Sequence, residues 1–373
     1  MNNMQTKVIE IGDIRSESTW RTRVIGNENP VQDMHETARA TLEDYGKALR
    51  GSRAYIENGN MREAFVQGGD APLLLRDGIT MLAYASYLGV QPSWQLIAKI
   101  VNSTRKEEEY LLDSTLGALP KTPSGVSAPR LVSSFAGGVK ITNDRYAGRV
   151  DFTGDDIQFD RIGKMSMVAE ELGRSGRTTE EQAVYTAVTT SANYTRNSTT
   201  GDNDIGANTG DVTFNGVNLE TAATTISTMK DRKSGLYLGL AADTIVIPPR
   251  MEIAVKQLLL SVDLARVGGN TTNEVRGGGT MNAYRGMLKN IIVSPWFANL
   301  AGVGYNWLLM DSTRMSLVFQ RVKGFEVAQA APNTETRLVD DVITFVASGY
   351  FGVGIVDDRP MYYSYSNTAP TVS

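Results

Sequence analysis

The chain has 373 residues, of which 41% are hydrophobic and 21% are charged, and its formal net charge is −4 at pH 7. This balance is typical of a globular protein with a sizeable core, and it disfavours a dedicated nucleic-acid binder, which normally has a basic excess. Because the sequence contains no cysteine, disulfides and thiolate metal sites are excluded. At about 150 residues per domain, the length predicts one large or two medium domains.

The N-terminal region shows no targeting signal. The stretch MNNMQTKVIEIGD lacks the apolar segment of a signal peptide. The longest mostly apolar run, residues 79–90, is shorter than the ~18 residues that a membrane span requires. We therefore expect a protein that is neither exported nor embedded in a membrane. Residues 1–30 are polar and mixed and are interpreted as an arm, and apolar residues then recur at helical spacing from Asp33 to Gly51.

The next segments are predicted from spacing and from Gly and Pro. Two helical segments, Leu73–Tyr87 and Trp94–Val101, are separated by a break at Gly89–Pro92. The charged run TRKEEEY that follows is interpreted as a solvated face. Residues 120–152 contain two β-prone runs that flank Gly137-Gly138, and this pattern predicts a hairpin with its connection at the two glycines. An isolated ribbon of this kind is marginal in water, so it needs its own chain or a neighbouring subunit to lie on.

The middle of the chain is predicted to be mainly helical. Asp155-Asp156 offer an N-cap for a helix that ends at Gly173, and Thr178 with Glu181 forms a capping-box pattern for a second helix. Residues 191–216 are rich in Asn, Thr and Gly and are interpreted as a surface excursion. A further helix is marked by apolar residues at helical spacing, Leu219, Ala222, Ile226 and Met229.

The stretch LAADTIVIPPRMEIAVKQLLLS predicts a strand, a break and a helix, with Pro249 in the first helical turn. The buried side of this helix is predicted to consist of Ile253, Val255, Leu258 and Leu259. A glycine-rich loop follows, and then several β-type runs that end in DDVITFVASGYFGVGIVDD. The C-terminal third is therefore predicted to be mostly sheet.

A search for catalytic chemistry returns few candidates. The sole histidine, His35, lies in a predicted amphipathic helix, and no G-x-S-x-G motif is present. No glycine loop is followed by Lys-Ser/Thr, and Pro248-Pro249 remove backbone N–H groups that a phosphate site would need. Asp202-Asn203-Asp204 begins like a calcium loop, but it lacks the later ligands. The pairs Asp155-Asp156, Asp340-Asp341 and Asp357-Asp358 could in principle act as acid and base, but capping and surface solvation are favoured. We therefore predict no enzyme activity, no cofactor and no metal.

Four stretches in chain order carry a resemblance to a known family. They are MREAFVQGGDAPLLLRDGITMLAYASYLGVQPSWQLIAKIV, DRYAGRVDFTGDDIQFDRIGKMSMVAEELGRSGRTTEEQAVYTAV, AADTIVIPPRMEIAVKQLLLS with YRGMLKNIIVSPWF and WLLMD, and GYFGVGIVDDRPMYYS. Over roughly residues 62–364 the chain resembles the major capsid proteins of tailed bacteriophages with the Hong Kong 97 fold, especially relatives of the Mu-like major head subunit. Residues 1–60 have no counterpart in this resemblance.

The resemblance implies an α+β fold of the Hong Kong 97 type, with an N-terminal arm, an extended β-hairpin loop, a spine helix, a peripheral domain and an axial domain. The implied spine helix lies within residues 156–190, with an interruption near Gly173–Gly176. The implied divisions are 1–65 for the arm with its helix, 66–119 for a helical region, 120–153 for the extended loop, 154–235 for the spine helix and peripheral domain, 236–345 for the axial domain, and 346–373 for the returning strand and tail. Implied inter-subunit contacts are Phe135, Gly137, Gly138, Lys140 and Tyr146, and an implied axial loop contains Gly268, Gly269, Gly277, Gly278 and Gly279.

The implied function is that of a structural protein of the virion. Its partners would be further copies of the chain in pentamers and hexamers, together with portal, scaffolding and decoration proteins, and packaged double-stranded DNA held by weak nonspecific contacts. Assembly would take place in the host cytoplasm, without a membrane.

Three alternatives stay open at this point. An encapsulin-type nanocompartment shell would share the fold but enclose protein cargo instead of DNA. A carboxylate-dependent phage hydrolase would lose activity when Asp155, Asp156, Asp340 or Asp341 is replaced by Asn. A secreted adhesion module is disfavoured by the N-terminal sequence.

Overall fold

The computed structural model describes residues 36, 38–41, 71–113, 119–125, 127–130, 135–153, 162–194, 208–231, 235–261, 263–264, 280–297, 304–330 and 342–370. Helices and strands are mixed along the chain, which confirms the predicted α+β class. The α-helices with defined bounds are α1 (Ala71–Gly89), α2 (Ile162–Thr189), α3 (Gly216–Ser227) and α4 (Glu252–Leu260). The strands are β1 (Ala98–Asn102), β2 (Glu107–Asp113), β3 (Phe135–Thr142), β4 (Asp144–Thr153), β5 (Thr209–Gly210), β6 (Thr244–Ile247), β7 (Asp263–Leu264), β8 (Thr280–Met281), β9 (Asn290–Val293), β10 (Trp307–Met310), β11 (Leu317–Gln329), β12 (Val342–Ile355) and β13 (Met361–Ser364).

The chain divides into two compact units, one of the two outcomes that its length predicts. The first unit comprises Met1–Gln91, Arg145–Thr179 and Lys323–Tyr350, and the second comprises Pro92–Asp144, Glu180–Val322 and Phe351–Ser373. The described part of the chain contains no helix that is long and apolar enough to cross a membrane. The finer division into six segments stays a prediction.

The core of the first unit is built from α1, from the part of α2 up to Thr179, and from the strands of the same unit. Ile79 and Leu82 from α1 and Met165 from α2 are fully buried in this cluster. Phe152 and Phe345, on neighbouring strands, meet edge to face with their ring centroids 5.9 Å apart.

The second unit is organised around a five-stranded sheet with the strand order β5-β13-β10-β6-β9. Strand β10 is antiparallel to β6 and β13, and β6 is parallel to β9. Every residue of β6, β10 and β13 is buried. Val246 and Leu308 contribute to one apolar cluster, while Ile245 and Leu309 contribute to another. A sheet that is covered on both faces explains why TIVI and WLLM are continuous apolar runs instead of alternating ones.

The predicted break in the spine helix is wrong, because α2 is one continuous helix of 28 residues. Its glycines mark close packing within the first unit. A Cβ built at Gly173 would overlap the carbonyl oxygen of Ala83, and one at Gly176 would lie 2.5 Å from the ring of Phe325. The predicted second helix start at Thr178 is also wrong, since Thr178 lies inside α2. Asp155-Asp156, the predicted N-cap of the first of these two helices, lie outside the described residues.

The prediction for residues 71–101 is confirmed in its first half only. Helix α1 includes Leu73–Tyr87, but the predicted helix Trp94–Val101 is a 3₁₀ turn, Ser93–Leu96, followed by β1. Strand β1 pairs in parallel with the first residues of β11. The apolar residues of Trp94–Val101 are spaced as in a helix, but the hydrogen bonds that β1 forms with β11, which is distant in sequence, favour a strand instead.

The strand–break–helix prediction around Pro248-Pro249 is confirmed. Strand β6 leads into a 3₁₀ turn at Pro249–Met251 and then into α4. Val255, Leu258 and Leu259 are buried as predicted, but Ile253 is 73% exposed, so its assignment to the buried side was wrong.

Two other predictions are corrected in part. Residues 208–216 do not belong to a surface excursion, because Asn208 and Phe214 are buried in the second unit. The predicted helix at Leu219–Met229 is confirmed as α3, which ends at Ser227. The calcium-like stretch at residues 202–204 lies outside the described residues.

Candidate subunit interface

Strands β2 and β3 form a separate two-stranded antiparallel ribbon in the second unit. The predicted turn at Gly137-Gly138 is wrong, since both glycines lie inside β3 and Gly138 pairs with Leu111. The partner strand is formed by the charged run that was interpreted as a solvated face. The connection between the two strands is the segment 114–134, which is much longer than the predicted two-residue turn.

The ribbon has two unlike faces because side chains alternate along a strand. Glu108, Tyr110, Val139 and Ile141 form the inner face, and Ile141 is 3% exposed in an apolar cluster with Val318 and Val356. Six residues of the ribbon are exposed on the opposite side and are called the outer face: Glu107, Glu109, Leu111, Gly138, Lys140 and Thr142.

The root of the ribbon is fixed by hydrogen bonds and by two close contacts. Asn143 is fully buried, its backbone N–H donates to the Lys106 carbonyl at 2.8 Å, and its side-chain amide donates to the Arg105 carbonyl at 2.7 Å. A Cβ at Gly352 would overlap the Thr142 carbonyl oxygen, and one at Gly354 would lie 2.8 Å from the Ile141 side chain. The root is therefore held in a defined place while the outer face is left open.

The connection between the two strands is exposed wherever it is described. Residues 119–125 and 127–130 form no helix or strand, and all of them are exposed. Leu119 is 82% exposed, the largest exposure among the exposed large hydrophobic residues of the described chain. Loops of this length are uncommon inside compact domains unless they have a function.

Charge is distributed unevenly over the ribbon and its connection. Strand β2 carries carboxylates at Glu107, Glu108, Glu109 and Asp113 and no cation. Residues 114–143 carry three cations, Lys121, Arg130 and Lys140, and no carboxylate. An open depression of about 520 Å³ is lined by Arg105, Glu107, Glu108, Glu109 and Lys140. The ribbon thus offers an acidic strand next to a cationic, exposed loop.

Glu109 and Lys140 face each other directly across the ladder. Among the described residues, no ion pair joins them or involves either side chain. The Glu109 carboxylate lies over Gly138 instead, since a Cβ at Gly138 would overlap its Oε1. The carboxylate of Glu109 is therefore available on the outer face.

The structure brings together only some of the predicted contact residues. Gly138 and Lys140 share the outer face, whereas Tyr146 is 38% exposed on β4 in the first unit. The backbones of Phe135 and Gly137 lie in β3. The predicted axial-loop residues Gly268, Gly269, Gly277, Gly278 and Gly279 lie outside the described residues. The flanking strands β7 and β8 pair in an antiparallel ladder, Asp263 with Met281 and Leu264 with Thr280.

Glu107 and Glu109 are exposed, as the charged run predicts, but their place with Leu111 in a β-strand was not predicted. The signal was present, because EEEYLLD has the length of a strand and can alternate between two faces. A run of three glutamates nevertheless has low β-propensity, and this favoured a solvated surface.

The carboxylate pair Asp357-Asp358 has a structural role. The Arg359 Nε donates to Asp357 Oδ1 at 2.8 Å, and Asn208 donates to Asp358 Oδ2 at 3.1 Å. Burial lowers the pKa of Arg359, but the hydrogen bonds and charge of Asp357 outweigh it and raise the pKa overall. Asp358 is 5% exposed, so the predicted surface solvation is wrong for this residue. Asp155-Asp156 and Asp340-Asp341 lie outside the described residues.

Other titratable groups in the second unit also serve the core. Burial raises the pKa of Tyr185 to about 12 and that of Tyr194 well above its usual value, so both phenols stay neutral. Within the described ranges, no cluster of His, Asp or Glu has the arrangement of a metal site.

Comparisons with known proteins place these features in context. The family model described as "Phage capsid protein" matches residues 138–364. A segment of 93 residues is 30% identical to the Mu-like prophage FluMu major head subunit of Haemophilus influenzae, and it spans 25% of this chain and 29% of that protein. The solved structure from Mycobacterium phage Adephagia has a TM-score of 0.47 at 12% identity over 76% of this chain and 92% of that chain. The capsid structure of the cyanophage P-SCSP1u has a TM-score of 0.47 at 13% identity over 74% and 87%.

Proposed function

The chain belongs to the phage capsid protein family, whose model covers residues 138–364, and from this premise we propose that it is a major capsid (head) protein. Copies of the chain would assemble into the pentamers and hexamers of an icosahedral shell that encloses double-stranded DNA. Proteins of this family are structural components of the virion. The observation that carries the proposal is the family match itself, with the head-subunit segment as its counterpart among curated proteins.

The ribbon supports assembly on physical grounds. A two-stranded ribbon with an exposed outer face is marginally stable in water by itself, and its loop loses conformational entropy when it is ordered. Both become favourable when a neighbouring subunit covers them, because an interface that binds the ordered form stabilises it. The ribbon with its loop therefore has the properties of an element that is completed by another copy of the chain.

The chemistry of the described residues is compatible with a structural role. Two buried carboxylates of the second unit accept hydrogen bonds from residues of the same unit. Asp358 accepts from the Asn208 side chain, and Asp243 accepts from the Ser312 N–H. Portal, scaffolding and decoration proteins remain candidate partners within this proposal. Contact with packaged DNA would be weak and nonspecific, which suits a chain with a net charge of −4. Assembly would take place in the cytoplasm of the bacterial host.

The experiment that tests the proposal is expression of the full chain followed by sedimentation and nuclease treatment of the fast-sedimenting fraction. Closed particles would support a shell protein. When particles are produced together with the packaging proteins, nuclease-protected double-stranded DNA would support a phage head. Particles that enclose protein cargo and no DNA would contradict the phage assignment and favour a nanocompartment shell.

A further inference from the structure

We infer that the outer face of the ribbon is a docking surface for the segment Leu119–Lys121 of a second copy of this chain, with Leu119 on Leu111 and Lys121 on Glu109. This inference rests on the proposed function, because it requires copies of the chain to associate. It goes further by naming which part of one copy lies on which part of the next.

The acceptor surface is defined by an exposed leucine beside a carboxylate that forms no ion pair within the described part of the chain. Leu111 is 55% exposed on the outer face, and the Glu109 carboxylate lies over the neighbouring Gly138. Because Gly138, the ladder partner of Leu111, has no side chain, the Glu109 carboxylate can lie over it and therefore stands beside Leu111 on the outer face. An exposed apolar side chain next to an acidic group suits a segment that offers the opposite charge beside its own apolar residue.

The docking segment offers that combination. Leu119 is 82% exposed, Pro120 and Lys121 are exposed, and the segment forms no helix or strand. In an extended chain, side chains two residues apart lie on the same side, about 7 Å from one another. Leu119 and Lys121 therefore have the same spacing as Leu111 and Glu109. One extended segment can place both of its side chains on their partners at once.

Charge favours the same pairing. The outer face carries Glu107 and Glu109 against Lys140, whereas Lys121 and Arg130 are the charged residues of the connection. Within a single copy every described residue of the connection is exposed, so this part of it is not packed on its own ribbon. A contact in which the loop of one copy lies on the ribbon of the next is heterologous, and repeated contacts of this type close into rings when the rotation allows.

The first experiment reverses charges in the full-length chain and measures the protein concentration at which half of it is assembled. We expect Lys121→Glu and Glu109→Lys each to raise this concentration about fivefold, because an attraction becomes a repulsion in every repeated contact. The double variant Lys121→Glu/Glu109→Lys restores the pair and should return to within about twofold of the wild type. Lys99→Glu is the matched control, since it changes the charge of an exposed lysine on β1 by the same amount.

The second experiment uses the absence of cysteine from the sequence. A Leu111→Cys chain is mixed with a Leu119→Cys chain of distinguishable mass, and the mixture is assembled and oxidised. We expect disulfide-linked dimers that contain one chain of each type. Leu96→Cys, which replaces a leucine that is 67% exposed, is the control in place of Leu111→Cys and should link poorly to Leu119→Cys.

The outcomes separate this inference from the proposed function. Two results would overturn the docking surface while the capsid function stands. In the first, the wild type assembles but the charge-reversal variants behave like Lys99→Glu. In the second, Leu119→Cys links to Leu96→Cys as well as it links to Leu111→Cys. A wild type that stays monomeric at every concentration overturns both. Rescue by the double variant together with selective linking supports the inference.

Discussion

Gly173 of α2 packs directly against the backbone of Ala83 in α1, so closely that a Cβ on the glycine would overlap the Ala83 carbonyl oxygen. The same Cβ would lie 2.9 Å from the backbone nitrogen of Tyr87. Helices α1 and α2 therefore approach backbone to backbone at this point. The glycine provides the space for that approach without interrupting its helix.

Replacing Gly173 with alanine should destabilise the chain, although alanine is the better helix former by about 1 kcal/mol. The added methyl group meets backbone atoms that cannot rotate away, and overpacking of this kind costs about 1–3 kcal/mol. Thermal unfolding of unassembled Gly173→Ala should give a lower midpoint than the wild type. Ser175→Ala, at an exposed position of the same helix, should not lower it. An increase in midpoint for Gly173→Ala would contradict the close helix contact.

Replacing Arg177 with lysine should also destabilise the first unit. The Arg177 Nε donates to the Tyr87 carbonyl at 2.8 Å, its Nη1 donates to the Tyr87 hydroxyl at 3.0 Å, and its guanidinium carbon lies 3.7 Å from the ring centroid. The Tyr87 carbonyl belongs to the last turn of α1, where intrahelical donors are missing. Lysine cannot reproduce this fork, so we expect a loss of about 1–3 kcal/mol in the free energy of unfolding.

Arg174→Lys provides the control for Arg177→Lys. Arg174 lies one turn away on α2, its side chain is 56% exposed, and among the described residues it forms ion pairs with Glu170 and Glu171 at 3.6 Å. Its replacement should change stability by less than about 0.5 kcal/mol. Equal effects of the two substitutions would contradict the role assigned to Arg177.

Asp243→Asn should destabilise the second unit in a pH-dependent way. The Asp243 carboxylate accepts hydrogen bonds from the Ser312 N–H at 2.8 Å, the Ser312 hydroxyl at 2.7 Å and the Thr244 hydroxyl at 2.9 Å. Burial raises the pKa of this carboxyl, but these hydrogen bonds and the charge of Lys289 outweigh it and lower the pKa below its ordinary value of 3.8. At pH 7 we expect a loss of about 1.5–3 kcal/mol, because the hydrogen bonds involve a charged acceptor.

The sign of the pH dependence follows from the lowered pKa. The stabilisation that the folded state gains from ionised Asp243 is complete above the unfolded pKa, and it is lost as the pH falls through the folded pKa. The difference in unfolding midpoint between wild type and Asp243→Asn should therefore be largest near pH 7 and shrink below about pH 4. A difference that stays constant down to pH 3 would contradict this account. Asp211→Asn, at an exposed position, provides the comparison.

The exposed connection should be cut by trypsin before α4 is cut in the free chain. Lys121 and Arg130 lie in exposed segments without regular structure, whereas Lys256 lies in α4. Brief digestion of the unassembled chain should cut after Lys121 and Arg130 before it cuts after Lys256, as peptide masses would show. Assembled particles should resist cleavage at both connection sites. Equal cleavage rates in free and assembled chain would mean that no neighbour covers the connection.

Local patterns predicted the elements whose structure depends on near neighbours. Strand β6, its proline break and α4 follow from a β-rich run, from Pro249 in a first turn and from helical spacing. Helix α3 was predicted for the same reason, and its Asn215 side chain caps it by accepting from the Asn218 N–H at 2.7 Å. These features depend on residues within a few positions of one another.

The elements that were mispredicted depend on distant contacts. Gly173 and Gly176 were interpreted as a break, because the neighbours that require them, Ala83 and Phe325, are distant in sequence. Gly137-Gly138 were interpreted as a turn, because the strand that pairs with β3 begins 28 residues before it, counting from Glu107 to Phe135. The function was predicted from the family resemblance. The outer face of the ribbon could not be predicted from the sequence, because it depends on the register in which β2 and β3 pair, with Glu109 opposite Lys140.

The central claim is that this chain builds a closed shell from copies of itself, and electron microscopy of the purified full chain over a range of concentrations tests it most directly. The account predicts capsomer rings with fivefold and sixfold symmetry, or closed particles, that become more abundant as the protein concentration rises. A monodisperse monomer at the highest concentration would contradict it.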